Sequence, residues 1–439
     1  MGEGSEIIQV SAQPQTARIG VVLATLLITG NMVGTGIFLL PATLASVGSV
    51  SLLGWLAVTA GAMMLAGVFA MLSTLRPDLS LTGYVSAAFG QYAGFQASIL
   101  YWTSCWAGNI AIAVGVTGYA AYFVPMLARP WPGCCCTCAV IIGLTAANLL
   151  GPRLVGRLGG MTLVLGLVPV LGVASLGWFW FRPAIFAASW NVTGHSGMQA
   201  VAASLVLILW AFLGLETGTV MARLVRNPSR NIPLATLGGV ALTGLISIAA
   251  CTAIQGVLPA STLARSPAPF GDAVQRMVGA AAGGAVALCA LLKASGTLGG
   301  WVLVTAETTC SAAAGGLFPA WFGAVDQGGV PRRALLCMCM VMCMFCVLTV
   351  SPTVARQFQV VIDVTSVLSL LVYVWCCLAL IRMAPARPGV WLLAPVSLCF
   401  CLYVVAKSDF SLLLWALALV AATVPLYWLG PRRACGAQR

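Results

Sequence analysis

The chain has 439 residues, 61% of them hydrophobic and only 7% charged, with a formal net charge of +12. Soluble domains carry about 25% charged residues, so the composition excludes a soluble globular protein and leaves little chain for a water-soluble domain. The positive charge does not point to nucleic acid, because Lys and Arg stand singly or in small groups at the ends of apolar stretches rather than along one surface.

A membrane-spanning helix needs about 20 mostly apolar residues. Stretches of that kind run over 18–46, 50–74, 93–125, 134–150, 158–181, 198–222, 232–258, 273–311, 334–350, 355–382, 389–406 and 409–429, which predicts an all-α integral membrane protein of about twelve helices. Residues 1–17 read as a cytoplasmic tail without the apolar core of a cleavable signal. Residues 18–429 read as one transporter domain, with repeats over 18–181 and 198–382, extra helices over 389–429, and a second tail over 430–439.

The first span contains Gly30-Asn31-Met32-Val33-Gly34-Thr35-Gly36, a run expected to interrupt the helix. Amide N–H groups near Thr35 and Gly36 would suit a carboxylate. The short amphipathic stretch 77–92 reads as an interfacial segment. In the third span, Tyr101, Ser104, Cys105, Gly108, Asn109 and Ile112 recur at helical spacing and share a face. Ser104, Cys105 and Asn109 make that face mildly polar and uncharged, which suits a donor-rich cationic head group.

The sixth span carries Gly214-Leu215-Glu216-Thr217-Gly218-Thr219, the same Gly-x-x-x-Gly-Thr pattern as the first, five helices later. An odd offset reverses a helix in the membrane. Glycine-interrupted helices at matching places in inverted halves mark a transporter's central site. Carbonyls of Met32, Trp210 and Leu213 would be free there to accept from an ammonium. In the eighth span Gly296-Thr297-Leu298-Gly299-Gly300 thins the helix before Trp301. A cation stacked on such a ring gains about 2 kcal/mol when desolvated.

Four charged residues fall inside spans: Glu216, Lys293, Glu307 and Asp363. Such groups are costly to bury in a membrane and are functional candidates by default. Glu216 occupies the second interruption and is the candidate proton-sensitive gate. Glu307 lies near a helix end, and Lys293 with Asp363 is a candidate ion pair. The cysteine groups 134–138 and 337–346 lie in apolar runs with no histidine nearby, and read as small hydrophobic residues rather than a metal site. Neither a metal nor another cofactor is expected, and no nucleophile–base pair points to an enzyme.

Fourteen of the 21 Lys and Arg fall in alternate loops and tails against six in the opposite loops, with Lys293 in a span. The positive-inside rule then places both termini in the cytoplasm.

At these residues the chain resembles the amino acid–polyamine–organocation superfamily, and within it bacterial arginine:agmatine antiporters. The likeness runs from about residue 18 to 429. It is carried by Gly30 through Ala42, Tyr101–Asn109, Gly177–Phe181, Trp210–Glu216, Asn227–Pro233 and Gly296–Trp301. Several of these runs are also shared by putrescine:ornithine and lysine:cadaverine exchangers. The Tyr-Trp-x-x-Cys-Trp-x-Gly-Asn run of the third span is the part that looks specific to arginine:agmatine exchange.

The resemblance implies a 5+5 inverted repeat with discontinuous first and sixth helices, followed by two more helices. It implies Thr35 and Gly36 at the carboxylate, and backbone at Met32, Trp210 and Leu213 at the α-ammonium. Ser104, Cys105 and Asn109 would meet the guanidinium, with Trp301 stacked on it. Tyr101, Glu216 and Trp375 would form the distal gate. Ser104 stands where this family usually has alanine, and Trp375 where it usually has tyrosine.

The implied activity is exchange of external arginine for internal agmatine across a bacterial inner membrane. It would be coupled to a cytoplasmic decarboxylase in acid resistance, and the carrier would form a homodimer. Other expectations are exchange of ornithine for putrescine or lysine for cadaverine, proton-coupled uptake, or a membrane sensor. The fifth span holds no Lys, the residue that replaces a coupling cation in some proton-driven relatives, which favours exchange.

Overall fold

The structure, a computed structural model, describes residues 19–34, 36–220, 225–314, 316, 318–326 and 330–429. Both expected tails and Thr35 lie outside the described residues.

Among the described residues the chain is helical, and its only β feature is an isolated bridge between Ile19 and Val225. The first span is two helices, α1 (Val21–Met32) and α2 (Gly36–Leu44), bent by 46° at the break between them. Then come α3 (Ser51–Leu75), the short α4 (Leu81–Phe89), α5 (Gln91–Phe123), α6 (Pro130–Leu150), α7 (Pro152–Leu176) and α8 (Pro183–Ala188). The amphipathic stretch around 77–92 is α4, whose first turn is capped by the Ser80 hydroxyl accepting from the Gly83 amide.

The sixth span starts at α9 (Gly197–Leu209) behind a Ser196/Gln199 capping box. It narrows to a 3-10 turn over Trp210–Phe212 and resumes as α10 (Thr217–Val220). Beyond it lie α11 (Pro228–Val257), α12 (Ala260–Leu263), α13 (Pro269–Val278), α14 (Ala280–Ala314), α15 (Arg332–Leu348), α16 (Val354–Met383), α17 (Val390–Ala406) and α18 (Phe410–Leu429). The sequence reading began the eighth span at 273. In the structure Gly279, with φ +118°, separates α13 from α14. Few L residues adopt that backbone, so the glycine ends one helix and lets the next set off in a new direction.

The packing repeats with an offset of five spans. The first span packs on the seventh (α1 on α11) and the sixth on the second (α9 on α3). The third packs on the tenth (α5 on α16) and the eighth on the fifth (α14 on α7). Pairs five apart also meet directly: α3 with α11, α5 with α14, and α6 with α15. This pairing is the one that a 5+5 repeat produces, and α17 and α18 follow it as the two additional helices. α5 runs between α14 and α16, so its polar face is held against both interrupted spans.

Candidate functional site

Each interruption frees backbone groups that a continuous helix would consume. α1 stops at Met32 because Val33 turns to ψ +56°, and only its N–H reaches back, to the Thr29 carbonyl at 2.7 Å. In the sixth span Leu213 is extended and Gly214 has φ +99°. A side chain there would be strained, which accounts for a glycine at that point. The Gly214 carbonyl accepts from the Thr217 amide at 2.9 Å and its hydroxyl at 2.6 Å, so the chain turns straight into α10.

Between the two breaks lies a cavity of about 60 Å³. Its wall includes Asn31, Met32, Gly34 and Gly36 from the first break, and Trp210, Leu213, Gly214 and Glu216 from the second. α5 adds Tyr101, Ser104, Cys105, Gly108, Asn109 and Ile112, and α14 adds Thr297 and Trp301. All the expected binding residues in the described chain therefore converge on one space. It is smaller than the ~150 Å³ that admits a benzene, so cargo the size of an amino acid needs the aromatic walls to move apart. Gly36 is tied to one of those walls: a Cβ there would overlap the Trp210 indole. Trp210 also lies over Gly108, 3.5 Å from where a Cβ would stand.

Glu216 sits at the second break, 5% exposed. Its Oε2 accepts from the Tyr373 hydroxyl at 2.7 Å and from the Gly214 amide at 3.0 Å, and its Oε1 accepts from the Tyr101 hydroxyl at 3.2 Å. One carboxyl group thus ties the break to α5 on one side and α16 on the other. The sequence reading put Trp375 in this position, and the structure corrects it. Trp375 is not part of the cavity wall; it is half-buried against Phe89 of α4, with ring centroids 5.3 Å apart. Two residues along a helix turn a side chain by about 200°, so Tyr373 and Trp375 cannot face the same way. Thr365 and Ser369 line the cavity too. With Tyr373 they form a polar series at every fourth position of an apolar helix, a signal present in the sequence.

Several polar atoms in this wall have no partner. Asn109, 1% exposed, donates its Nδ2 to the Thr305 hydroxyl at 3.0 Å, while its Oδ1 accepts nothing. Trp210 Nε1 and Thr297 Oγ1 are likewise buried and unbonded. These are three of fifteen such atoms among the described residues, and the three that line this cavity offer a polar ligand places to bond. Ser104 is otherwise engaged, donating to the Tyr101 carbonyl at 2.8 Å.

The candidate Lys293–Asp363 pair does not form. Lys293, 4% exposed, donates its Nζ to the Gly30 carbonyl in the last turn of α1 at 3.3 Å. An ammonium there complements the negative end of α1. Asp363 instead faces a separate cavity of about 900 Å³, with Arg356, Gln359, Lys407 and Asp409 on its polar side. The two groups face different sides of the bundle, which a linear sequence could not reveal. Glu307 is exposed.

A sequence profile described as amino acid permease matches residues 19–424. The chain is 36% identical over 374 residues to the cadaverine/lysine antiporter of Escherichia coli K12, covering 83% of each protein. It is 33% identical over 371 residues to the putrescine transporter PotE of the same organism, covering 84% of each. To the putrescine transporter PotE of Haemophilus influenzae it is 32% identical over 371 residues, covering 84% of this chain and 85% of that one. Two interrupted helices around a cavity with unbonded polar atoms, and a match along nearly the whole chain, converge on one conclusion. The chain belongs to the amino acid permease family of the amino acid–polyamine–organocation superfamily, among its basic amino acid and polyamine antiporters, and is a membrane transporter rather than an enzyme.

Proposed function

We propose that the protein exchanges a cationic amino acid for the amine left by its decarboxylation, in the manner of lysine for cadaverine or ornithine for putrescine. The observation that carries this reading is the neutral acceptor at Asn109 Oδ1 beside the Trp301 face. The amino acid carries one positive charge and the amine two, and both must bind and leave the same place. A fixed carboxylate at the cationic end would hold the doubly charged amine too tightly for release, whereas a carbonyl oxygen and an aromatic face suit both. Glu216, the acid in the wall, is already occupied by Tyr101, Tyr373 and the Gly214 amide. The free groups at Met32, Gly36 and Leu213 would take the α-ammonium and carboxylate of the amino acid and release them from the amine.

The names of the relatives support the ω-ammonium pairs. The run Tyr101–Asn109 supports a second pair, arginine for agmatine. Both termini would face the cytoplasm. A decarboxylase inside would consume the amino acid and supply the amine, and that gradient would bring the amino acid in and the amine out, exporting one positive charge per cycle.

The test is uptake of labelled lysine, ornithine or arginine by proteoliposomes loaded with cadaverine, putrescine, agmatine or buffer alone. Uptake should be stimulated by an internal amine, most strongly by the matching one. Uptake indifferent to the internal load would overturn antiport, and stimulation by agmatine alone would move the cargo to the arginine pair.

A further inference from the structure

The two cysteine groups are far apart in sequence, and the fold brings them together. Cys134 and Cys138 are one turn apart on α6, and Cys346 lies on α15 against them. The three sulfur atoms all lie within 4.8 Å of one another, with Cys134 Sγ and Cys346 Sγ 3.8 Å apart. We propose that Cys134, Cys138 and Cys346 form a binding site for a thiophilic divalent metal ion of the zinc and cadmium class, joining α6 to α15 away from the transport cavity.

The geometry fits without rearrangement of the backbone. Three thiolates about 2.3 Å from a common ion in one plane have sulfurs about 4 Å apart. The observed separations need only small side-chain adjustment to reach that value. Soft thiolate ligands select such metals over magnesium or calcium. Binding forms three sulfur–metal bonds and releases three thiol protons to solvent, leaving one net negative charge at the site. Gln357 on α16 donates its Nε2 towards Cys346 Sγ at 3.7 Å and to the Cys346 carbonyl at 3.2 Å. That amide orients the ligand and offsets its charge, as outer partners do in metal sites. The Cys138 Sγ also lies 3.9 Å from the Cys343 carbonyl of α15. Cys134 and Cys346 are fully buried and Cys138 is partly exposed, so the site has one open side. α6 and α15 are the fourth and ninth spans, a pair related by the repeat, and an ion between them would clamp the two halves of the scaffold together.

The experiment is titration of the reduced, purified full-length protein with cadmium. The first readout is the thiolate-to-metal charge-transfer absorbance, the second the melting temperature, and the third X-ray absorption at the cadmium edge on substoichiometrically loaded protein. One tight ion per chain with three sulfur neighbours is expected, together with a raised melting temperature. Loss of even an outer partner costs metal sites about 10–100-fold in affinity, so Cys134→Ser, Cys138→Ser and Cys346→Ser should each weaken binding at least tenfold. Cys399→Ser, an exposed thiol on α17, should leave it unchanged. Fewer than three sulfur neighbours in the wild-type protein would overturn the proposal whether or not the variants fold. So would equal binding by all four variants, or a Cys134–Cys346 disulfide that forms in the protein as isolated and resists reduction.

Discussion

Tyr373→Phe removes one oxygen and nothing else from the tie between α16 and the second break. The lost bond, at 2.7 Å, is shorter than those from Gly214 at 3.0 Å and Tyr101 at 3.2 Å. Hydrogen bonds to a charged acceptor contribute about 1.5–3 kcal/mol. Oε2 keeps its Gly214 donor after the substitution, so the lower end applies: about 1.5 kcal/mol, or roughly a tenfold change in the equilibrium between tied and released breaks. A double-mutant cycle of Tyr373→Phe with Glu216→Gln, read as KM and initial rate of labelled lysine counterflow, reads the part of that coupling carried by the carboxylate's charge, since Gln keeps an acceptor oxygen. Tyr101→Phe should couple more weakly in the same cycle because its bond is longer. Trp375→Phe should not couple at all, since its ring packs on Phe89. Coupling of Trp375 to Glu216 as large as that of Tyr373 would refute the gate drawn from the structure.

Three further outcomes are expected. Trp301→Leu should abolish exchange while circular dichroism and gel filtration stay as in the wild type; retained exchange would remove this ring from the cargo path. Gly36→Ala forces its methyl into the Trp210 indole and should stop transport, with partial recovery in a Gly36→Ala/Trp210→Phe double variant; failure of the smaller ring to help would separate the two residues. Lys293→Met keeps the side-chain length packed at Gly166 but removes the donor to the Gly30 carbonyl. Replacing a buried charge by an apolar isostere is often neutral or stabilising, so the melting temperature should hold or rise while the exchange rate falls about tenfold or more. Parallel loss of both would make Lys293 a purely structural contact.

Hydropathy located the long helices because a bilayer imposes a length and a composition on each: among the described residues eight are long and apolar enough to cross, or nine with the bent first pair counted as one span. The two breaks were equally visible, since glycine at Gly30–Gly36 and Gly214–Gly218 is what an interrupted helix needs. The face of α5 followed from spacing alone. What failed was orientation about a helix axis. Tyr373 and Trp375 are both large aromatics near one gate, and only a register fixed to a polar partner tells them apart. The series Thr365, Ser369, Tyr373 would have fixed it. Lys293 and Asp363 are opposite charges in spans, but pairing depends on which neighbour each helix faces, as α14 meets α1 and α16 meets the second cavity. The cysteines read as small hydrophobic residues in apolar runs without a histidine, and only the packing of α6 on α15 brings Cys134, Cys138 and Cys346 together.

Asn109 Oδ1, Trp210 Nε1 and Thr297 Oγ1 have an effect on the cycle as well as on binding. A carrier that turns over empty must take these atoms through its occluded state with no ligand group to satisfy them. A loaded carrier makes the same passage with cargo in place. A buried polar atom left unsatisfied costs about 1–3 kcal/mol, so even one uncompensated at the crest slows the empty return by roughly fivefold to 150-fold. This cost acts as a latch: the site is re-exposed on the other side of the membrane readily only when cargo satisfies its polar atoms. Obligatory exchange then needs no dedicated lock, because the penalty for travelling empty is built into the wall that recognises the passenger.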